Sequence, residues 1–109
     1  MRTRSRPRAA TGVFLLSGLL GLAATPAGAA DPLKGQQTYE TQCMKCHGPG
    51  GVPVLVGAPN FSRGERLVQP DLVILEKIKA GRNAMPSFRG VLRDYEILDV
   101  IAYIRTLYR

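Results

Sequence analysis

Ile97, Val100, Ile101, Ile104 and Leu107 fall on an i, i+3, i+4, i+7 stripe among polar positions. That spacing predicts an amphipathic helix from about Asp94 to Leu107. Glu96 sits where a capping-box acid belongs, but Arg93 holds the N-cap place. Arginine is a poor cap, so this helix start is expected to fray. A second helix is predicted from Pro70 to Ala80. Pro70 and Asp71 open it, Lys77 and Lys79 lie near its end, and Gly81 follows, which suits both termini. Leu72, Leu75 and Ile78, with Val73 and Ile74 partly alongside, are its expected buried side. Gly35, Tyr39 and Cys43 recur every four residues, placing them near one face of a first helix from about Pro32. Gly35 would let another helix come close, and Tyr39 would give that contact bulk. Between these helices the chain is rich in Gly and Pro. Gly48 to Pro53 reads as a loop, and Val54 to Val56 as a brief apolar run for which a short strand is the alternative.

The first thirty residues read differently. Arg2, Arg4, Arg6 and Arg8 precede an apolar run, Gly12 to Ala24, and then small residues up to Ala30. This order is that of a secretory signal peptide with an A-x-A-like cleavage site. The apolar run is about 13 residues, short of the ~20 that span a bilayer. An uncleaved N-terminal anchor is the alternative. We therefore expect residues 1–30 to be removed and 31–109 to form one domain, with cleavage after Ala30 or one residue earlier. The formal charge is +7 for the whole chain, but the leader takes four bases and no acid. Eleven bases against eight acids leave +3. With no long basic run and few aromatics, nucleic-acid binding is not expected, nor is a membrane span in the mature form.

The chemistry is concentrated in Cys43-Met44-Lys45-Cys46-His47, which holds both cysteines and the only histidine. C-x-x-C-H is the signature of covalent c-type haem attachment. Two thiols one helical turn apart can add to the two vinyl groups of one porphyrin edge. His47 can then bind the iron. A structural zinc site usually needs four ligands, and only three Cys and His residues exist. A thioredoxin-like dithiol should sit in a βαβ pattern, and a disulfide across so short a loop would constrain almost nothing. A proximal histidine needs an acceptor for its other ring nitrogen. The Pro59 carbonyl is the candidate; a proline that only shapes the loop is the alternative. Beyond the leader there are two methionines. Met44 lies between the haem cysteines and is expected to point away from the iron. Met85, stiffened by Pro86, is then the candidate distal ligand; a core methionine with an open sixth position is the alternative. A chain of about 79 residues is small for a core of its own, so folding is expected to depend on the cofactor.

With C-M-K-C-H, G-A-P-N, A-M-P-S-F and D-V-I-A-Y-I-R in hand, the sequence resembles a class I, monohaem cytochrome c of bacterial type over about Gly35 to Arg109. The resemblance implies an all-α fold of three to four helices and loops around one covalent haem c. Its N- and C-terminal helices cross, with Gly35 and Tyr39 meeting Val100 and Tyr103. It implies Cys43 and Cys46 as thioether sites, His47 and Met85 as iron ligands, and Pro59 as acceptor from His47. There is no Trp to serve a haem propionate; Asn60, Ser62, Arg63, Arg66 and Tyr39 stand unranked as replacements. Filled axial sites favour electron transfer over catalysis, and a soft thioether favours Fe(II). The expected function is a soluble, monomeric periplasmic electron carrier between redox enzymes. One alternative is a dedicated cytochrome subunit of a periplasmic dehydrogenase or reductase. Another is a small haem enzyme or gas sensor with an open iron. Lys45, Lys77, Lys79, Arg82 and Arg89 are expected to border the haem and meet an acidic patch on the partner, or else to be a scattered solvated surface.

Overall fold

The computed structural model describes residues 9–10, 12–13 and 28–109. Most of the expected leader, and its removal, lie outside the described residues. Four helices form the domain: α1, Pro32–Gln42; α2, Met44–His47; α3, Asp71–Ala80; and α4, Asp94–Thr106. Single 3₁₀ turns sit at Pro49–Gly51 and Phe61–Arg63. Among the described residues there is no strand, and the Val54–Val56 run is bend and turn. No described helix is long and apolar enough to cross a membrane.

Asp31 starts α1. Its carboxylate accepts from the Leu33 and Lys34 amides at 2.9 and 3.3 Å, and Pro32 occupies the first turn. Two of the helix's otherwise unpaired N–H groups are thus satisfied. At Cys43 the backbone leaves helical geometry and resumes as α2, a single turn carrying Cys46 and His47.

α1 lies directly across α4. Gly35 is buried there, and a Cβ on it would overlap the Asp99 carbonyl oxygen and stand 2.8 Å from the Val100 amide nitrogen. One turn on, the Tyr39 and Tyr103 rings meet at 5.3 Å with a 60° tilt. The Asp31 amide donates to the buried Asp99 carboxylate at 2.6 Å, closing the end of the crossing. The expected Gly35, Tyr39, Val100 and Tyr103 contact is therefore present.

The core is two clusters on α4. One gathers Tyr39, Phe61, Leu67, Val100 and Ile104, with Cys43, Met44, Tyr103 and Leu107 against it. The other gathers Ile74, Leu75, Phe88, Ile97 and Ile101, with Ile78, Met85, Leu92 and Leu98 against it. The α4 stripe thus splits, Val100 and Ile104 serving one cluster and Ile97 and Ile101 the other. On α3 the expected buried side is shifted. Ile74 and Leu75 are buried, whereas Leu72 is 68% exposed and Val73 is also exposed. Consecutive Ile74 and Leu75, joined by Ile78, meet the second cluster and turn Leu72 outward.

The start of α4 is tied rather than frayed. The Glu96 carboxylate accepts from the Arg93 amide at 2.8 Å, half of a capping box. The Arg93 guanidinium donates to the Tyr95 hydroxyl at 2.7 Å and lies over the same ring. Near the other end, Arg105 donates to the carbonyls of Leu67 and Gln69 at 2.6 and 2.7 Å and to the Asp71 carboxylate. It pins the segment entering α3, whose Pro70 cap has no side-chain bond of its own.

Overpacking a close contact typically costs about 1–3 kcal/mol. Gly35→Ala should sit at the upper end, about 3 kcal/mol, because the obstacle is backbone rather than a movable side chain. Guanidinium unfolding of the holoprotein measures it; an unchanged midpoint would show that the helices can separate freely.

Candidate haem site

α2 presents the motif as one helical turn. The His47 amide donates to the Cys43 carbonyl at 2.9 Å. The Val54 and Leu55 amides both donate to the Cys46 carbonyl at 3.0 Å and draw the following loop back onto the motif. The Tyr39 hydroxyl, buried under the α1–α4 crossing, donates to the Gly48 carbonyl at 2.7 Å. The residue after His47 is therefore fixed from the helix crossing itself.

The two thiols are free and half-buried. Burial, and then the charge of Cys46, push the Cys43 thiol up to about 11. A redox dithiol works through a depressed thiol pKa, so this environment opposes the dithiol alternative. Among the described residues no three His, Cys, Asp or Glu side chains are arranged to hold a metal ion. Cys43, Cys46 and His47 do not converge as zinc ligands must. Spread along one helical turn, they suit an extended group.

The His47 ring is stacked on Phe61, centroids 4.8 Å apart and planes 18° apart. Its Nδ1 is buried and makes no hydrogen bond; Nε2 is not sealed in this way. Burial lowers the imidazole pKa, while the nearby Pro59 carbonyl raises it. The buried Nδ1 forms no hydrogen bond to that carbonyl. A neutral imidazole with an open ring nitrogen is what iron takes. Met85 sits on the other cluster, half-buried, at the end of a turn in which Arg82 and Met85 exchange two backbone bonds of 3.0 Å. Met44 packs against the first cluster. Val52, Val54 and Leu55 beside the motif are exposed, and Val56 is 98% exposed. Exposed apolar side chains, two free thiols, an imidazole and a thioether are residue types that suit a c-type haem.

Phe61 and the Tyr39 hydroxyl bond were not anticipated from sequence. The only sequence signal for the first is an aromatic two residues past Pro59. Of the residues weighed as partners for propionates, Tyr39 and Ser62 are engaged within the protein; the Ser62 hydroxyl meets the Asn60 side-chain oxygen at 2.6 Å. Arg63 and Arg66 form no ion pair among the described residues. The expected cationic rim is partly spent. Lys79 pairs with Glu76 at 3.3 Å and Asp94 at 3.1 Å, and Arg89 faces Glu76 at 3.8 Å. Lys77 bonds to Gln69. Lys45 and Arg82 have no such partner among the described residues.

A family model described as "Cytochrome C oxidase, cbb3-type, subunit III" matches residues 30–104. The chain is 38% identical over 85 residues to a cytochrome c6 of Thermosynechococcus vestitus, covering 73% of this chain and 74% of that protein. It is 33% identical over 102 residues to a cytochrome c6 of Nostoc sp., covering 79% and 85%. A solved cytochrome c6 from the diatom Phaeodactylum tricornutum superposes with a TM-score of 0.58 at 31% identity, covering 70% of this chain and 92% of that one.

Burial, chiefly, pushes the Tyr39 phenol up to about 12. The folded chain thus favours the neutral phenol. The resulting stability is intact below pH 10 and declines as pH climbs from 10 towards 12. Tyr39→Phe should flatten that decline in unfolding midpoints taken across the window. It should also cost about 1–2 kcal/mol at pH 7, because the Gly48 carbonyl loses its buried partner.

Proposed function

The chain belongs to the class I, monohaem c-type cytochromes, and from that premise we propose that it is an exported, soluble carrier passing single electrons between periplasmic redox proteins. It carries one covalent haem c and is an electron carrier rather than an enzyme. Bound at this site, the haem supplies an Fe(III)/Fe(II) couple. In this reading Cys43 and Cys46 hold the ring covalently, and His47 binds the iron while Pro59 accepts from its far nitrogen. Met85 would supply the second protein ligand to the iron. The observation that carries the reading is the division of ligands between the two α4 clusters. His47 is stacked on Phe61 of one, and Met85 is held on the other.

Export follows from the leader pattern, with Asp31 as the first residue of the mature domain. Its place as the α1 cap and its bond to Asp99 support that boundary. The matched family model is described as an oxidase subunit, which favours one second reading, a cytochrome bound permanently to an enzyme complex. The match to small cytochromes c6, over 74% of one relative and 92% of a solved one, supports the free carrier. Elution of the native protein as monomer or as complex separates them.

The decisive measurement is the spectrum of the purified protein with its intact mass. Expected are a chain from Asp31 plus one haem that resists acid-acetone, and a far-red sulfur-to-iron band in the ferric state. Met85→Ala should abolish that band and admit CO to the ferrous iron at neutral pH. Ready CO binding by the unaltered protein, or survival of the band in the variant, would overturn His/Met ligation.

For docking, the unpaired cations carry the argument. Lys45 and Arg82 should steer an acidic partner, whereas Lys79 and Arg89 are offset by Glu76 and Asp94. Second-order transfer should slow as salt rises, and Lys45→Ala or Arg82→Ala should weaken that dependence more than Arg89→Ala does. A flat salt profile would remove the docking surface.

A further inference from the structure

The reading of Met85 as the distal ligand raises a question of restraint: what keeps its sulfur in place. The chain leaves α3 at Gly81, turns through Met85 and returns at Phe88. The last carbonyls of any helix lack amide partners within it. Here the Lys79 carbonyl is satisfied from the returning chain. The Ser87 hydroxyl donates to it at 2.6 Å and the Phe88 amide at 3.2 Å. The same hydroxyl oxygen accepts from the Arg89 amide at 3.3 Å. The loop is therefore closed at a neck two residues beyond Met85.

Everything around the neck is fixed. Gly81 has φ 68°, and a Cβ there would stand 2.6 Å from the Ser87 nitrogen and 2.7 Å from the Met85 carbonyl oxygen. Arg82 and Met85 exchange backbone bonds, with Asn83 at φ 54° between them. Phe88 is buried in the second cluster. Lys79 is itself anchored to α4 through Asp94. Of these restraints, only the Ser87 bond to Lys79 comes from a side chain reaching across the loop.

We propose that Ser87 is the positioning residue for Met85, its hydroxyl closing the neck and so setting how readily the sulfur leaves the iron. The proposal rests on Met85 being the distal ligand. A thioether is soft and neutral, and it suits Fe(II) better than Fe(III). In the ferric state the bond depends more on the loop that presents it. An external ligand binds only when the loop opens, so its apparent affinity is reduced by the fraction of time the loop is open.

The test is a titration of ferric holoprotein with imidazole, read by loss of the far-red band. Ser87→Ala should tighten apparent imidazole binding about fivefold, the worth of one hydrogen bond of ordinary strength. Ser87→Thr, which keeps the hydroxyl, should bind imidazole as the unaltered protein does. Ser87→Val, with threonine's shape and no hydroxyl, should behave like Ser87→Ala and serves if that variant does not fold. In a Met85→Ala background there is no sulfur to displace, and Ser87→Ala should then change nothing. Unchanged imidazole affinity in Ser87→Ala and Ser87→Val, with the band present in the unaltered protein, overturns the role of Ser87 and leaves Met85 as ligand. So does an equal effect of Ser87→Ala with and without Met85. Absence of the band from the unaltered protein overturns the ligand reading and the proposal together.

Discussion

Where α1 crosses α4, Gly35 lays bare backbone against the Asp99 carbonyl and the Val100 amide. The cofactor site is arranged from that contact outward. It brings Tyr39 beneath α4, where the ring packs on Tyr103 and the hydroxyl reaches the Gly48 carbonyl. Gly48 directly follows His47, so the distance between two helices is passed on to the placement of the imidazole. A larger residue at 35 would lift Tyr39 away from the same carbonyl. Asp31 closes the end of the crossing twice over, capping α1 with its side chain and donating its amide to Asp99. Packing at one residue and ligand geometry at another are in this sense one constraint.

α4 is the common wall. Its apolar stripe is wide enough to serve two clusters. Val100 and Ile104 face the one that holds Phe61, and Ile97 and Ile101 the one that holds Met85. Each cluster is a handful of side chains, small for a domain of this length. Valines and a leucine around the motif keep their apolar surface outward. A porphyrin seated against such faces adds the apolar area that the polypeptide alone does not bury. Such a seat would couple cofactor attachment to folding, as happens in small metal domains.

The elements legible in the sequence are those with a repeating spacing or a fixed chemical signature. The α4 stripe, the four-residue recurrence of Gly35 and Tyr39, and C-x-x-C-H all state their geometry locally. What was not legible depends on single bonds between distant residues. Arg105 reaches Leu67, Gln69 and Asp71, more than thirty residues back, and nothing in its own helix marks it for that task. Phe61 stacks on His47 because the intervening loop folds back onto the Cys46 carbonyl, a backbone event that no side-chain pattern announces. On α3 the expected face was off by a fraction of a turn. Five apolar residues out of seven, from Leu72 to Ile78, leave the burial period ambiguous. Ile74 and Leu75 are inside because the second cluster lies on their side. At Arg93 a poor cap suggests a weak start, but Glu96 supplies the bond from within the helix.

The two proposed iron ligands are restrained by unequal means. His47 is adjacent in sequence to Cys46, and its ring rests flat on Phe61 with the Pro59 carbonyl close by. A covalent neighbour and a stacked ring leave it little freedom. Met85 has no covalent neighbour on the ring and lies in a loop closed by hydrogen bonds alone. A hydrogen bond in water contributes about 1 kcal/mol net, so a few of them would hold Met85 more loosely than thioether links would hold the motif. On that reading, any change that accompanies loss of an electron would fall mainly on the Met85 loop. A carrier benefits from that division. The covalent side would then fix where the redox centre sits, and the proposed ligand loop would tune how strongly a thioether favours the reduced state.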